Sequence, residues 1–84
     1  MATPGRVFHA VLSATGFANH GSAVDFTIYL NGGWVAWGNA VAGQGINVAR
    51  GWTDVVPSSG VMTVTATPTI ACGWKDLRAD FLWL

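Results

Sequence analysis

Residues 23–30 (AVDFTIYL) alternate without a break. Val24, Phe26, Ile28 and Leu30 are apolar, and Asp25, Thr27 and Tyr29 stand between them. Successive side chains on a strand point to opposite faces, so this run buries one face and wets the other. Asn31-Gly32-Gly33 follows directly. Asn and Gly tolerate the positive φ that a tight hairpin turn demands. Trp34-Val35-Ala36-Trp37 then reads as the return strand. A chain built around this unit is directed toward antiparallel sheet.

Composition points the same way. There is no Glu and a single Lys among 84 residues, while Thr, Val, Gly and Ala abound. Glu, Lys and Gln furnish the surfaces of helices, whereas Thr, Val and aromatics suit pleated sheet. Residues 6–15 form a candidate strand, with Phe8, Ala10, Leu12 and Ala14 on its more apolar face and Val7, His9, Val11 and Ser13 on the other. Further candidates are 46–50, 52–56, 61–67 and 78–84, with a shorter one at 70–72. Residues 16–22 and 38–45 read as glycine-bearing loops. The run 57–60 reads as a turn, and 73–77 as a turn or a single helical turn. In 61–67, Met62, Val64 and Ala66 share a face, and Pro68 ends the strand or marks an edge. In 78–84, Phe81 and Trp83 lie opposite Asp80, Leu82 and Leu84. The expected fold is all-β: a small antiparallel β-sandwich or open barrel of about 6–8 short strands. At 8.8 kDa, residues 1–84 make one domain with one modest core. A doubly wound enzyme fold does not fit in this length.

Charge is scarce. Arg6, Arg50, Lys75 and Arg78 balance Asp25, Asp54, Asp76 and Asp80, so the net charge is zero. Ordinary domains carry about 25% charged residues, and this chain carries 10%. That leaves no electrostatic footprint for nucleic acid or for an anionic membrane. Five Trp, four Phe and one Tyr are hard to bury in so small a core. Each large aromatic covers about 150–250 Å², so part of this surface is expected to meet a partner. Cys72 is the only cysteine. It permits no intrachain disulfide and no thiolate zinc site; a buried free thiol is the first expectation, with an interchain bridge or a reactive thiol as the alternatives. Residues 1–6 lack the charged and apolar regions of a signal peptide, and no run is long enough to span a membrane. The chain is therefore expected to be made in a cytosol or to be already trimmed. The apolar end, Phe81-Leu82-Trp83-Leu84, is expected to pair in a sheet or dock on a neighbour.

One segment is echoed. Residues 48–55 (VARGWTDV) and 70–77 (IACGWKDL) share Ala, Gly, Trp and Asp at equivalent places, 22 residues apart. Two readings follow. Trp52 with Asp54, and Trp74 with Asp76, suit sugar binding, where a ring stacks on a pyranose and a carboxylate accepts from its hydroxyls. Alternatively, the two segments are similar strand corners, with Trp filling the end of the sandwich and Asp capping the turn.

No catalytic constellation emerges. His9 is placed on a strand and His20 in a loop, and no serine sits on a nucleophile elbow. Gly43-Gln44-Gly45 lacks a phosphate-binding lysine. His9, His20 and Asp25 lack metal-site spacing. The run 75–80 (KDLRAD) alternates in sign and reads as a solvated face with local ion pairs. No enzyme activity, cofactor or metal is expected.

The run 24–38 (VDFTIYLNGGWVAWG) resembles the strand-turn-strand "F-x-V-Y-x-N-G-x-x-V-A" of small β-sandwich modules on bacteriophage particles: capsid decoration proteins, head fibres and tail-fibre tips. The match covers about a fifth of the chain. It implies a non-enzymatic virion component, made in the host cytoplasm and working as a homo-oligomer on a capsid or tail scaffold, and it carries over no functional residues. In this reading Trp34, Trp37 and Trp83 are the interface anchors, because buried aromatics carry most interface energy. The alternative is a carbohydrate-binding module built on Trp52, Asp54, Trp74 and Asp76.

Overall fold

The computed structural model describes residues 2–17, 24–41, 43–68 and 73–84, and leaves the side chains of residues 24, 68 and 73–75 undescribed. The described residues form six strands: β1 (Val7–Phe17), β2 (Val24–Leu30), β3 (Gly33–Ala40), β4 (Gly45–Val55), β5 (Val64–Pro68) and β6 (Gly73–Trp83). They form two antiparallel three-stranded sheets, ordered β4-β1-β6 and β3-β2-β5. The all-β reading therefore holds, at the low end of the expected strand number. The two sheets share one core.

That core comes from the alternation. Phe8, Ala10, Leu12 and Ala14 of β1 face Phe26, Ile28 and Leu30 of β2, and all are buried. Val35, Ala36, Ala40, Val48 and Val56 complete the cluster. Thr63, Thr65 and Thr67 are exposed while Met62, Val64 and Ala66 are half-buried, as their alternation predicts. The hairpin forms where expected, with φ of 52° at Asn31 and 80° at Gly32. Asn31 also reaches beyond its own turn. Its main-chain N–H donates to Thr63 O at 2.8 Å, and its Oδ1 accepts the Thr63 N–H at 2.9 Å. The turn at 57–60 closes through a 2.9 Å bond from Gly60 N–H to Pro57 O.

Several boundaries differ from the sequence reading. Residues 46–50 and 52–56 are not two strands but parts of β4, which runs unbroken through Gly51. Glycine there leaves room for the His9 ring, whose Nε2 lies 3.0 Å from where a Cβ would stand. The segment 73–77 is not a turn, because Gly73 already pairs with Phe17 and β6 runs from there. β3 extends to Ala40, which shortens the expected loop at 38–45. β5 begins at Val64 rather than at 61, because its partner β2 ends at Leu30. Pro68 lies inside β5, at the end of an edge strand, where a missing N–H is tolerated. The loop residues 18–22, His20 included, and the 70–72 candidate with Cys72 lie outside the described residues.

The two sheets touch most closely along one side, where β3 packs on β4. A Cβ on Gly38 would stand 2.5 Å from Val48 Cγ2 and 2.7 Å from Ile46 Cδ1. Glycine is what lets these strands approach. Gly38→Ala is expected to destabilise the fold by about 1–3 kcal/mol through overpacking, read as a lower urea midpoint. An unchanged midpoint would show that the seam is loose.

Candidate functional site

β3 carries one residue too many for its partner. Ile28 pairs with Ala36 and Tyr29 with Trp34, so Val35 is an inserted bulge residue. A bulge resets the alternation of its strand. In a regular strand, Trp34 and Trp37, three residues apart, would point to opposite faces. Here their partners are Tyr29 and Thr27, two apart on β2, so both rings leave the same face of the sheet. Val35 and Ala36 are both buried beneath them. Trp34 and Trp37 remain 52% and 56% exposed.

The two rings border an open groove of about 370 Å³ on the seam between the sheets. Ala36 and Gly38 of β3 and residues 46–50 of β4 form the rest of its lining. Arg50 is the one charged residue there. Its Nη1–H donates to Val35 O at 2.9 Å, which ties β4 to β3 across the sandwich. Its guanidinium lies 5.8 Å from the Trp34 ring centre and 5.2 Å from that of Trp52. Arg50 thus bridges an exposed Trp and a half-buried one. Both are in range for cation–π attraction.

Trp83 belongs to a different surface. It lies on the core-facing side of β6, paired with Phe8. Its ring meets Phe8 edge-on with centroids 6.2 Å apart, and Arg6 covers it at 4.6 Å. The second sheet sits over β4 and β1 and leaves this face of β6 largely open. Trp83, Phe81 and Leu77 are accordingly 39%, 38% and 43% exposed.

The echoed segments do not occupy equivalent places. Both lie on strands flanking β1, but Trp52 pairs with Ala10 and Trp74 with Gly16. Six positions of strand separate them by about 20 Å. Gly51-Trp52 stands in mid-strand rather than at a corner. Asp54 accepts the Trp52 Nε1–H at 3.4 Å and the Val55 N–H at 2.8 Å. Asp76 is exposed on the outer face of β6 opposite Thr15. The Trp74 side chain lies outside the described residues.

His9 Nδ1 and Thr53 Oγ1 share a hydrogen bond of 2.8 Å on the outer face of the first sheet. Among the described residues, no three His, Cys, Asp or Glu side chains cluster, and no helix is long and apolar enough to cross a membrane. The run 75–80 is solvated where it is described, with an Arg78–Asp80 ion pair of 3.2 Å.

Sequence reasoning missed Arg50. The signal was present, since Arg50 is one of two places where the echoes diverge outright, with Cys72 at the matching place. Arg50→Ala is expected to destabilise the fold by about 1–3 kcal/mol, since it strands a carbonyl and frees two rings. Arg50→Lys should recover little, because a point charge replaces a planar fork. Thermal melts of both variants test this, and a wild-type melting point for Arg50→Ala would contradict it.

Comparison with protein-family models, with curated proteins and with solved structures finds no match for this chain.

Proposed function

We propose that this chain is a non-enzymatic structural module that binds a larger protein assembly through apolar, Trp-rich contacts. The observation that carries the reading is the Trp34–Trp37 pair, turned to one face by a bulge and left more than half exposed beside a groove. Two adjacent, uncovered indole rings in a protein this small form the kind of patch that marks an interaction site. Aromatic anchors of this type dominate binding energy when a partner desolvates them. Trp83 is a further anchor on a second surface. The virion is the proposed setting, on a capsid or tail scaffold, and the hairpin at 24–38 supports it by resemblance alone.

Low charge fits a chain whose surface is partly covered in use. A free small domain usually keeps its net charge away from zero for solubility, and this one has none. Sugar binding at Trp52 and Asp54 has less support. Arg50 already lies over the Trp52 ring, and Asp54 already accepts two N–H groups.

The test is occupancy on purified particles. Trp34→Ala and Trp37→Ala should each cost at least about 2 kcal/mol of binding, a loss of roughly thirtyfold in affinity. Each should leave the unfolding free energy of the free chain, from urea titration, within about 1 kcal/mol of wild type. Unchanged occupancy for both variants would contradict the anchor assignment. A glycan panel read by Trp fluorescence should stay silent. Saturable binding that is lost in Trp52→Ala, with the fold intact, would favour the sugar reading instead.

A further inference from the structure

We propose that β6 pairs edge to edge with the β6 of a second copy of this chain, about a two-fold axis through Ala79. Two three-stranded sheets would then become one of six. The inference rests on the reading that the chain works in an assembly, and it assigns the second copy to a surface separate from Trp34 and Trp37.

Among the described residues no strand pairs with the outer edge of β6, and the hydrogen-bonding phase of that edge can be read. β6 is the outermost strand of its sheet and spans 11 residues without proline. The Leu84 N–H donates to Val7 O at 3.1 Å. In an antiparallel ladder, pairs with mutual hydrogen bonds alternate with pairs that have none. The register is regular from Trp83 to Asp76, and the one shift lies beyond, between Thr15 and Gly16. The main-chain groups of Leu82, Asp80, Arg78 and Asp76 therefore turn toward β1. Those of Trp83, Phe81, Ala79 and Leu77 turn toward the open edge. A long, regular edge with unused donors and acceptors is a template for another strand.

The side chains select both the occupant and the register. A two-fold axis perpendicular to the sheet keeps each face continuous, so paired residues must share a face. The outer face of β6 carries Asp76, Arg78 and Asp80 in alternating sign. With Ala79 at the axis, Arg78 stands opposite Asp80 of the second copy, and Asp80 opposite its Arg78. On the inner face Leu77 meets Phe81 of the second copy, twice. About six main-chain hydrogen bonds join the edges in this register. Axes through Arg78 or Asp80 would set like charges opposite each other, which destabilises a sheet. An axis through Leu77 also matches charges but leaves Leu82 and Trp83 beyond the pairing.

Burial argues in the same direction. Leu77, Phe81 and Trp83 line the part of the inner face that the second sheet fails to cover. Pairing sets each Phe81 beside the Leu77 of the second copy, in a cleft between the two sandwiches. The Arg78–Asp80 pair within one strand is exposed, at 67% and 62%, so it can exchange for cross-strand pairing at little cost.

Sedimentation equilibrium of the full chain tests the proposal. Wild type should be a dimer in reversible exchange with monomer. Arg78→Asp alone, and Asp80→Arg alone, each place like charges opposite one another. Each should weaken the dimer by about tenfold or more. An equimolar mixture of these two variants should form a heterodimer, because every facing pair is then of opposite sign. The double variant on one chain should dimerise like wild type, and it guards against misfolding of the single variants. Trp34→Ala and Trp37→Ala should leave the dimer constant unchanged while they lower particle occupancy, which separates this inference from the proposed function. A monomeric wild type, a dimer that neither charge reversal weakens, or a mixture that stays monomeric would overturn it.

Discussion

Among the described residues each sheet has three strands, and that limit governs the rest. A three-stranded sheet has one central strand and two edges, with strands about 4.8 Å apart. Only the central strands, β1 and β2, are covered along their length. Phe8, Ala10 and Leu12 on one, and Phe26 and Ile28 on the other, are almost wholly removed from water. The edge strands are covered only where something closes over them. Gly38 allows that closure on the β3–β4 side. Among the described residues no equivalent contact forms over β6, and its core-facing Leu77, Phe81 and Trp83 stay partly wet. The accessible surface is 4864 Å², against about 4,800 Å² for a compact chain of this mass. The exposed aromatics of β6 are thus a consequence of strand number rather than of loose packing.

The candidate site grows out of the closed side. Bringing β3 down onto β4 places Trp34 within reach of Arg50, and Arg50 within reach of Val35 O. The Val35 bulge then turns Trp37 to the side of Trp34. Three local features, a glycine, a bulge and one guanidinium, convert an ordinary edge strand into a surface with two adjacent indoles. The open side offers something different, a regular edge whose charges and apolar groups complement themselves. In the proposed reading one side takes a foreign partner and the other a copy of the chain.

Local pattern made much of the fold legible. The Asn31-Gly32 turn and the alternation in β1, β2 and β5 need only short-range rules, and the core residues of β1 and β2 follow from them. Glycine misled where its reason was not local. Gly51 looks like a strand end, yet the ring that needs its missing side chain is His9, 42 positions away in sequence and next door in the sheet. Gly73 likewise opens a strand because Phe17 is there to pair with it. The shared face of Trp34 and Trp37 was hidden because nothing in WVAW announces a bulge. The bulge exists in relation to β2. The echo of GWxD was visible, but its lack of structural equivalence was not, since register against β1 decides it.

Hydroxyl-radical footprinting of the tryptophans, in the free chain and on the assembled particle, tests the central claim most directly. The claim is that the Trp34–Trp37 pair lies open in the free protein in order to be covered by a partner. Trp34 and Trp37 should be oxidised faster than Trp52 in the free chain, and both should become protected on assembly. Slow oxidation of the pair in the free chain, or equal rates before and after assembly, would contradict the account.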